Sequence, residues 1–172
     1  MTPEQIRAVM PYTAGAADTF AQPLTAAMQE FAITTAKRQA AFLAQVAEES
    51  GELRYLRELA DGSAYEGRAD LGNVDPGDGQ RYRGRGLLMI TGRTNYEACG
   101  RALGLTLVLN PSLLETPLAA CRSAAWFWQM RGLNELADSE AFGSICHRIN
   151  GGYLGLDARI RYYIVARRTL GI

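Results

Sequence analysis

Eight of the 31 residues from Gly62 to Gly92 are glycine, and on both sides of that stretch the chain is patterned for helices. A segment so poor in side chains builds no apolar layer of its own, so neighbouring helices must hold it. Its Asp75-Pro76-Gly77-Asp78-Gly79 run is turn chemistry. A short strand or β-hairpin is expected from Arg81 to Ile90. A glycine-rich insertion on a rigid helical scaffold is a natural seat for a binding site.

The flanking helices announce themselves by their caps. Thr2 as N-cap, Pro3 at the first helical position and Gln5 three residues after the cap start the first. A second is expected over 21–31, with Leu24, Ala27, Met28 and Phe31 on one face. Thr34 or Thr35 caps a third, which carries Phe42, Val46, Glu49 and Leu53 along one stripe. Further helices are expected over 94–103, 117–131, 140–149 and 157–170, several of them stopped by glycine. The expected fold is therefore mainly α, about seven helices in one domain spanning 1–172, with the glycine-rich loop on one side of a cleft.

Composition closes off other classes. At 172 residues and 48% hydrophobic, the chain can bury a core without disulfides or metal. Its apolar runs, Leu87 to Ile90 and Ala124 to Trp128, fall far short of the ~20 residues needed to span a bilayer. No basic-then-apolar leader opens the chain. Synthesis in the cytoplasm is therefore expected. Formal net charge is zero, which argues against a nucleic-acid binder. The Arg83-Gly84-Arg85-Gly86 tract is too short to alter that, and it fails as a dinucleotide fingerprint because Met89 stands where glycine is needed. Asp70, Asp75 and Asp78 lack the spacing of a calcium loop. Cys99, Cys121 and Cys146 are widely spaced and fall in apolar patterns, and His147 is the only histidine, so neither a zinc site nor a histidine triad is expected. If the chain is an enzyme, carboxylates remain as its catalysts. Charge is also segregated: Glu48 to Asp78 holds nine acids and three arginines, whereas Gln80 to Arg101 holds five arginines and one acid. A polar cleft and a set of surface ion pairs would both produce this.

Glu49 lies within about 20° of Phe42 at ~100° per residue, so a carboxyl sits on the apolar stripe while Glu48 points toward the polar side. Loss of solvation suits such a group to donate a proton. The plainer alternative is a helix-end acid paired with Arg159 or Arg161. Glu58 and Glu66 are candidate second carboxylates. In an unbroken helix Glu49 and Glu58 would face opposite ways, and Gly51 permits a bend between them. Paired acids across a cleft are the requirement of glycoside hydrolysis.

The ordered segments AQVAEES, YEGRADLGN, PGDG, RYRGRGLLMITGRTNY, SAAWFW and INGG resemble glycoside hydrolase family 19, the chitinase-like fold, and in particular phage-type endolysins that cut peptidoglycan. The resemblance implies a muramidase-type, inverting hydrolysis of β-1,4 bonds. Glu49 matches the general acid and Glu58 the general base. Glu66 competes with Glu58, or else orders its loop through Arg68 or Arg83. Thr91 matches a residue that holds the attacking water. Asn95 and Asn150 match substrate-binding asparagines, with Tyr96 grouped beside Asn95. Arg159 resembles the arginine that pairs with the catalytic carboxylates. Two positions depart from the pattern: Glu48 replaces a histidine and Met89 a glutamine. The implied partner is the peptidoglycan glycan strand, met by a monomer with no metal or organic cofactor and no membrane insertion. A holin, lysis or a secretion system would give access to the wall in the periplasm. A chitinase using the same residues, and a catalytically silent saccharide-binding or phage structural domain, are the alternatives.

Overall fold

The computed structural model describes residues 1–172. Nine helices follow in order: α1 (Pro3–Val9), α2 (Ala16–Glu30), α3 (Ala36–Glu49), α4 (Asp78–Arg81), α5 (Arg93–Leu103), α6 (Pro117–Met130), α7 (Leu133–Asp138), α8 (Phe142–Asn150) and α9 (Leu156–Thr169). The capping box of Thr2 and Gln5 opens α1, and the Thr35 hydroxyl accepts the Arg38 N–H to open α3. At its centre α3 is enclosed all round, from Ala40 to Ala47. It packs along α9 and against α7, and Phe42 meets Trp128 of α6 edge-on at 5.3 Å. Alanine at 40, 41, 44 and 47 lets these neighbours approach closely. One continuous cluster of 41 buried apolar residues results.

Three expectations change. Helix α2 starts at Ala16 and runs through Pro23. The lost Pro23 N–H bond is offset by burial of Ala17, Phe20 and Ala21. Leu53 is buried but lies beyond the end of α3. The hairpin over 81–90 is absent. Two isolated bridges, Arg57 with Arg85 and Arg85 with Ile90, stand in its place. Gly86 (φ +80°) and Met89 (φ +49°) close a tight turn that sends Leu87 and Leu88 inward together. A strand would have sent one of them outward.

The glycine-rich segment is fastened by polar groups. Asp78 of α4 is buried and takes Arg93 Nε at 2.8 Å, which ties this loop to the start of α5. Asp70 pairs with Arg68, and Asp75 with Arg93. Hydrogen bonding from Arg93 holds the Asp78 carboxyl below the usual range. Its contribution is therefore complete above the ordinary aspartate value of ~3.9 and is lost as pH falls through the lower folded value. Asp78→Asn is expected to cost roughly 1–3 kcal/mol near neutral pH. Thermal melting of both proteins should show that gap narrowing below about pH 4; a gap independent of pH would refute the assignment.

Candidate active site

Glu49 is the last residue of α3 and its side chain is 20% exposed. Helix α9 runs beside α3 and delivers Arg159, which is buried. Arg159 Nη2 donates to Glu49 Oε1 at 2.6 Å, and Nη1 donates to Gln45 one turn earlier. Gln45 Nε2 in turn reaches Cys146 Sγ at 3.1 Å. So the carboxyl meets a guanidinium, and Arg159 is the partner; Arg161 lines a separate groove between α1 and α9. A Cβ on Gly155 would lie 2.8 Å from Glu48 Oε1 and 3.7 Å from Arg159 Nε. Glu48 therefore bends toward the α8–α9 loop and approaches the same arginine.

The chain reverses sharply after Glu49. Gly51, Glu52 and Leu53 all have positive φ, at +54°, +61° and +66°. Two of these are not glycine, so the turn carries strain that its surroundings must offset. The buried Glu52 carboxylate does this by accepting the Tyr12 N–H and the Tyr162 hydroxyl. The bend expected at Gly51 is present, but Glu52, unnoticed in the sequence, anchors it.

Beyond the reversal, Glu58 is fixed by two donors. Its Oε2 accepts the Gly84 N–H at 3.1 Å and the Tyr65 hydroxyl at 3.1 Å. Burial, then the adjacent Glu58 charge, pushes the Tyr65 hydroxyl upward, so it stays a donor. Glu58 Oε1 is buried without a protein partner. A Cβ on Gly84 would stand 2.7 Å from Glu58 Oε2 and 3.2 Å from Thr91 Oγ1, so both oxygens crowd one point. Thr91 donates its own proton to the Met89 carbonyl at 2.9 Å, leaving its lone pairs as acceptors. Asn95 spends one amide hydrogen on the Thr91 carbonyl at 2.6 Å. Glu58 also lines an open groove of about 510 Å³ with Arg54, Tyr55 and Arg83.

Two other candidates, Glu66 and Tyr96, belong elsewhere. Glu66 binds the Gly77 and Gly79 amides at 2.7 and 2.8 Å, one oxygen to each, at the start of α4. It orders the loop through these amides and not through Arg68 or Arg83. Tyr96 requires correction as a substrate contact. It is completely buried, donates to the Arg83 carbonyl at 2.6 Å and accepts from Arg85 at 3.0 Å, which pins the backbone around Gly84. Asn150 is exposed and donates to the Leu154 carbonyl at 3.1 Å, closing the α8–α9 loop. Tyr65 and Gln45 went unassigned in the sequence although both lie inside quoted motifs. Nothing local marks an interior tyrosine or glutamine as a carboxylate's partner.

Comparison with known proteins gives the family. The family model described as chitinase class I matches residues 7–141. An endochitinase of Arabidopsis thaliana is 37% identical over 162 residues, covering 88% of this chain and 56% of its own length. A glycosyl hydrolase family 19 domain-containing protein of Haemophilus influenzae is 36% identical over 106 residues, 62% of this chain and 51% of its own. The chain thus spans about half the length of the curated relatives it matches. The crystal structure of a bacterial family 19 chitinase superposes with TM-score 0.79 at 25% identity, covering 99% of this chain and 95% of that one. A class IV chitinase from Zea mays gives 0.70 at 27%, over 87% and 79%. The chain belongs to glycoside hydrolase family 19, the chitinase-like glycoside hydrolases.

Proposed function

We propose that the chain hydrolyses β-1,4 glycosidic bonds in the glycan strands of bacterial peptidoglycan by a single, inverting displacement, acting at the wall. The observation that carries the chemistry is the state of Glu58. Glu58 Oε2 is held by two donors and shares the space beside Gly84 with the Thr91 oxygen, while Oε1 has no protein partner. We assign the attacking water to the neighbourhood of Glu58 and Thr91, where it gives one hydrogen bond to the carboxylate and the other to Thr91, whose own proton is already committed to Met89. Glu49 protonates the glycosidic oxygen, the C–O bond breaks, and the water adds from the opposite face as Glu58 takes its proton. Arg159 stabilises the carboxylate that Glu49 becomes. The family resemblance assigns Asn95 and Asn150 to the saccharide.

Peptidoglycan as the polymer is supported by the six ordered motifs, which resemble those of phage-type endolysins. Chitin is the second reading, favoured because the plant relatives are named endochitinases. Mass spectrometry of digested peptidoglycan should show muramic acid at new reducing ends, and NMR should show the inverted anomer first. Soluble oligomers from chitin with none from peptidoglycan would establish the second reading. Products from neither would leave a saccharide-binding domain.

A further inference from the structure

The charge segregation in the sequence is only partly consumed by ion pairs. Arg93 is spent on Asp75 and Asp78, and Arg85 on Glu115 at 2.8 Å. Arg54, Arg57 and Arg83 instead stand along the groove that leads away from Glu58. Arg54 donates only from Nε, to the Gly51 carbonyl at 3.0 Å, and lies over the Tyr55 ring. Arg83 Nη1 donates to the Asp61 carbonyl, and its Nε is buried without a partner. Arg57 is half exposed, with Nη1 3.9 Å from Glu115. The acids lining the same groove are already engaged: Asp61 by the Ser63 N–H, Glu115 by Arg85, and Glu58 by Tyr65 and Gly84. Guanidinium N–H groups are therefore in excess beside the candidate base.

We infer that this groove binds the carboxylates of the lactyl-peptide arm that a peptidoglycan strand carries, with Arg54 and Arg57 as the principal contacts. The inference rests on the peptidoglycan reading above. Chitin offers hydroxyls and acetamides but no charge, so free guanidiniums gain little from it. A carboxylate matches the planar fork of arginine, two N–H groups to two oxygens. The groove then selects a strand by its side arm while the acid and base act on the sugar linkage that all such polymers share.

The test compares the wild type with the double variant R54Q/R57Q on three substrates: soluble peptidoglycan strands with intact peptides, the same strands stripped by an amidase so that only the lactyl carboxylate remains, and a neutral chitin oligosaccharide. Both side chains are at the surface, so the variant should fold, and thermal melting checks this. On intact strands KM should rise about tenfold with kcat unchanged, the loss of roughly one charge-assisted contact. Turnover of the chitin oligosaccharide should stay the same. A rise confined to intact strands assigns the contact to the carboxylates of the peptide, and one seen on stripped strands as well shows that the same arginines also take the lactyl carboxylate that the amidase unmasks; both support the inference. Equal losses on charged and neutral substrates, or none on intact strands, overturn it while leaving peptidoglycan hydrolysis standing. A wild type that cuts only the chitin oligosaccharide overturns both.

Discussion

Glu49→Gln is expected to lower glycan hydrolysis by at least ~100-fold, the range set by losing a general acid. Glutamine keeps the shape of the side chain, and its carbonyl oxygen still accepts from Arg159 Nη2. The buried guanidinium thus retains a hydrogen-bond partner, and Glu48 retains a negative charge near it. What the variant lacks is a proton to give to the departing sugar. Thermal melting should therefore find a folded protein while turnover collapses. A folded Glu49→Gln protein with near wild-type turnover would remove Glu49 from the mechanism.

Gly84→Ala is expected to lose roughly a hundredfold in turnover, comparable with losing the base itself. The added methyl would meet Glu58 Oε2 at 2.7 Å and Thr91 Oγ1 at 3.2 Å. The carboxylate is the most movable of the groups the methyl meets, so it gives way and its bonds to Tyr65 and Gly84 weaken; thermal melting separates this from loss of fold. The base is then displaced from the water it would activate. Thr91→Val probes the same point from the other side. One orienting hydrogen bond is worth ~1–3 kcal/mol, hence a tenfold to hundredfold fall at ~1.4 kcal/mol per decade. Thr91→Ser should retain most activity. Equal losses for Val and Ser would make Thr91 a packing residue, and full activity in Gly84→Ala would remove the water from this point.

The helices were legible because caps and apolar periodicity act within a few residues. Thr2, Pro3 and Gln5 state where α1 starts, and Phe42, Val46 and Glu49 state which face of α3 is covered. The failures were also local in origin. The apolar face of Leu24, Ala27, Met28 and Phe31 suggested a helix start near 21, yet burial of Phe20 and Ala17 carries α2 five residues further back. Leu87 to Ile90 looked like a strand because apolar runs suit one, but a turn with Met89 at positive φ buries two adjacent leucines.

For the site, the residue types and their order lay in the sequence, and their partners did not. That an acid ends the covered face of α3, and that a glycine-rich segment follows it, could be read from spacing alone. Which arginine meets that acid was settled by α9 packing along α3, across 110 residues of chain. Glu66 and Glu58 are equivalent as letters. Backbone amides at the start of α4 occupy both oxygens of one, while the fold leaves an oxygen of the other without a partner. Tyr96 stands beside Asn95 in sequence, yet the helix turns it into the core to hold Arg83 and Arg85. The physical reason is range: caps and periodicity are set by neighbours along the chain. The convergence of Glu58 and Thr91 over Gly84 exists only once distant segments have packed.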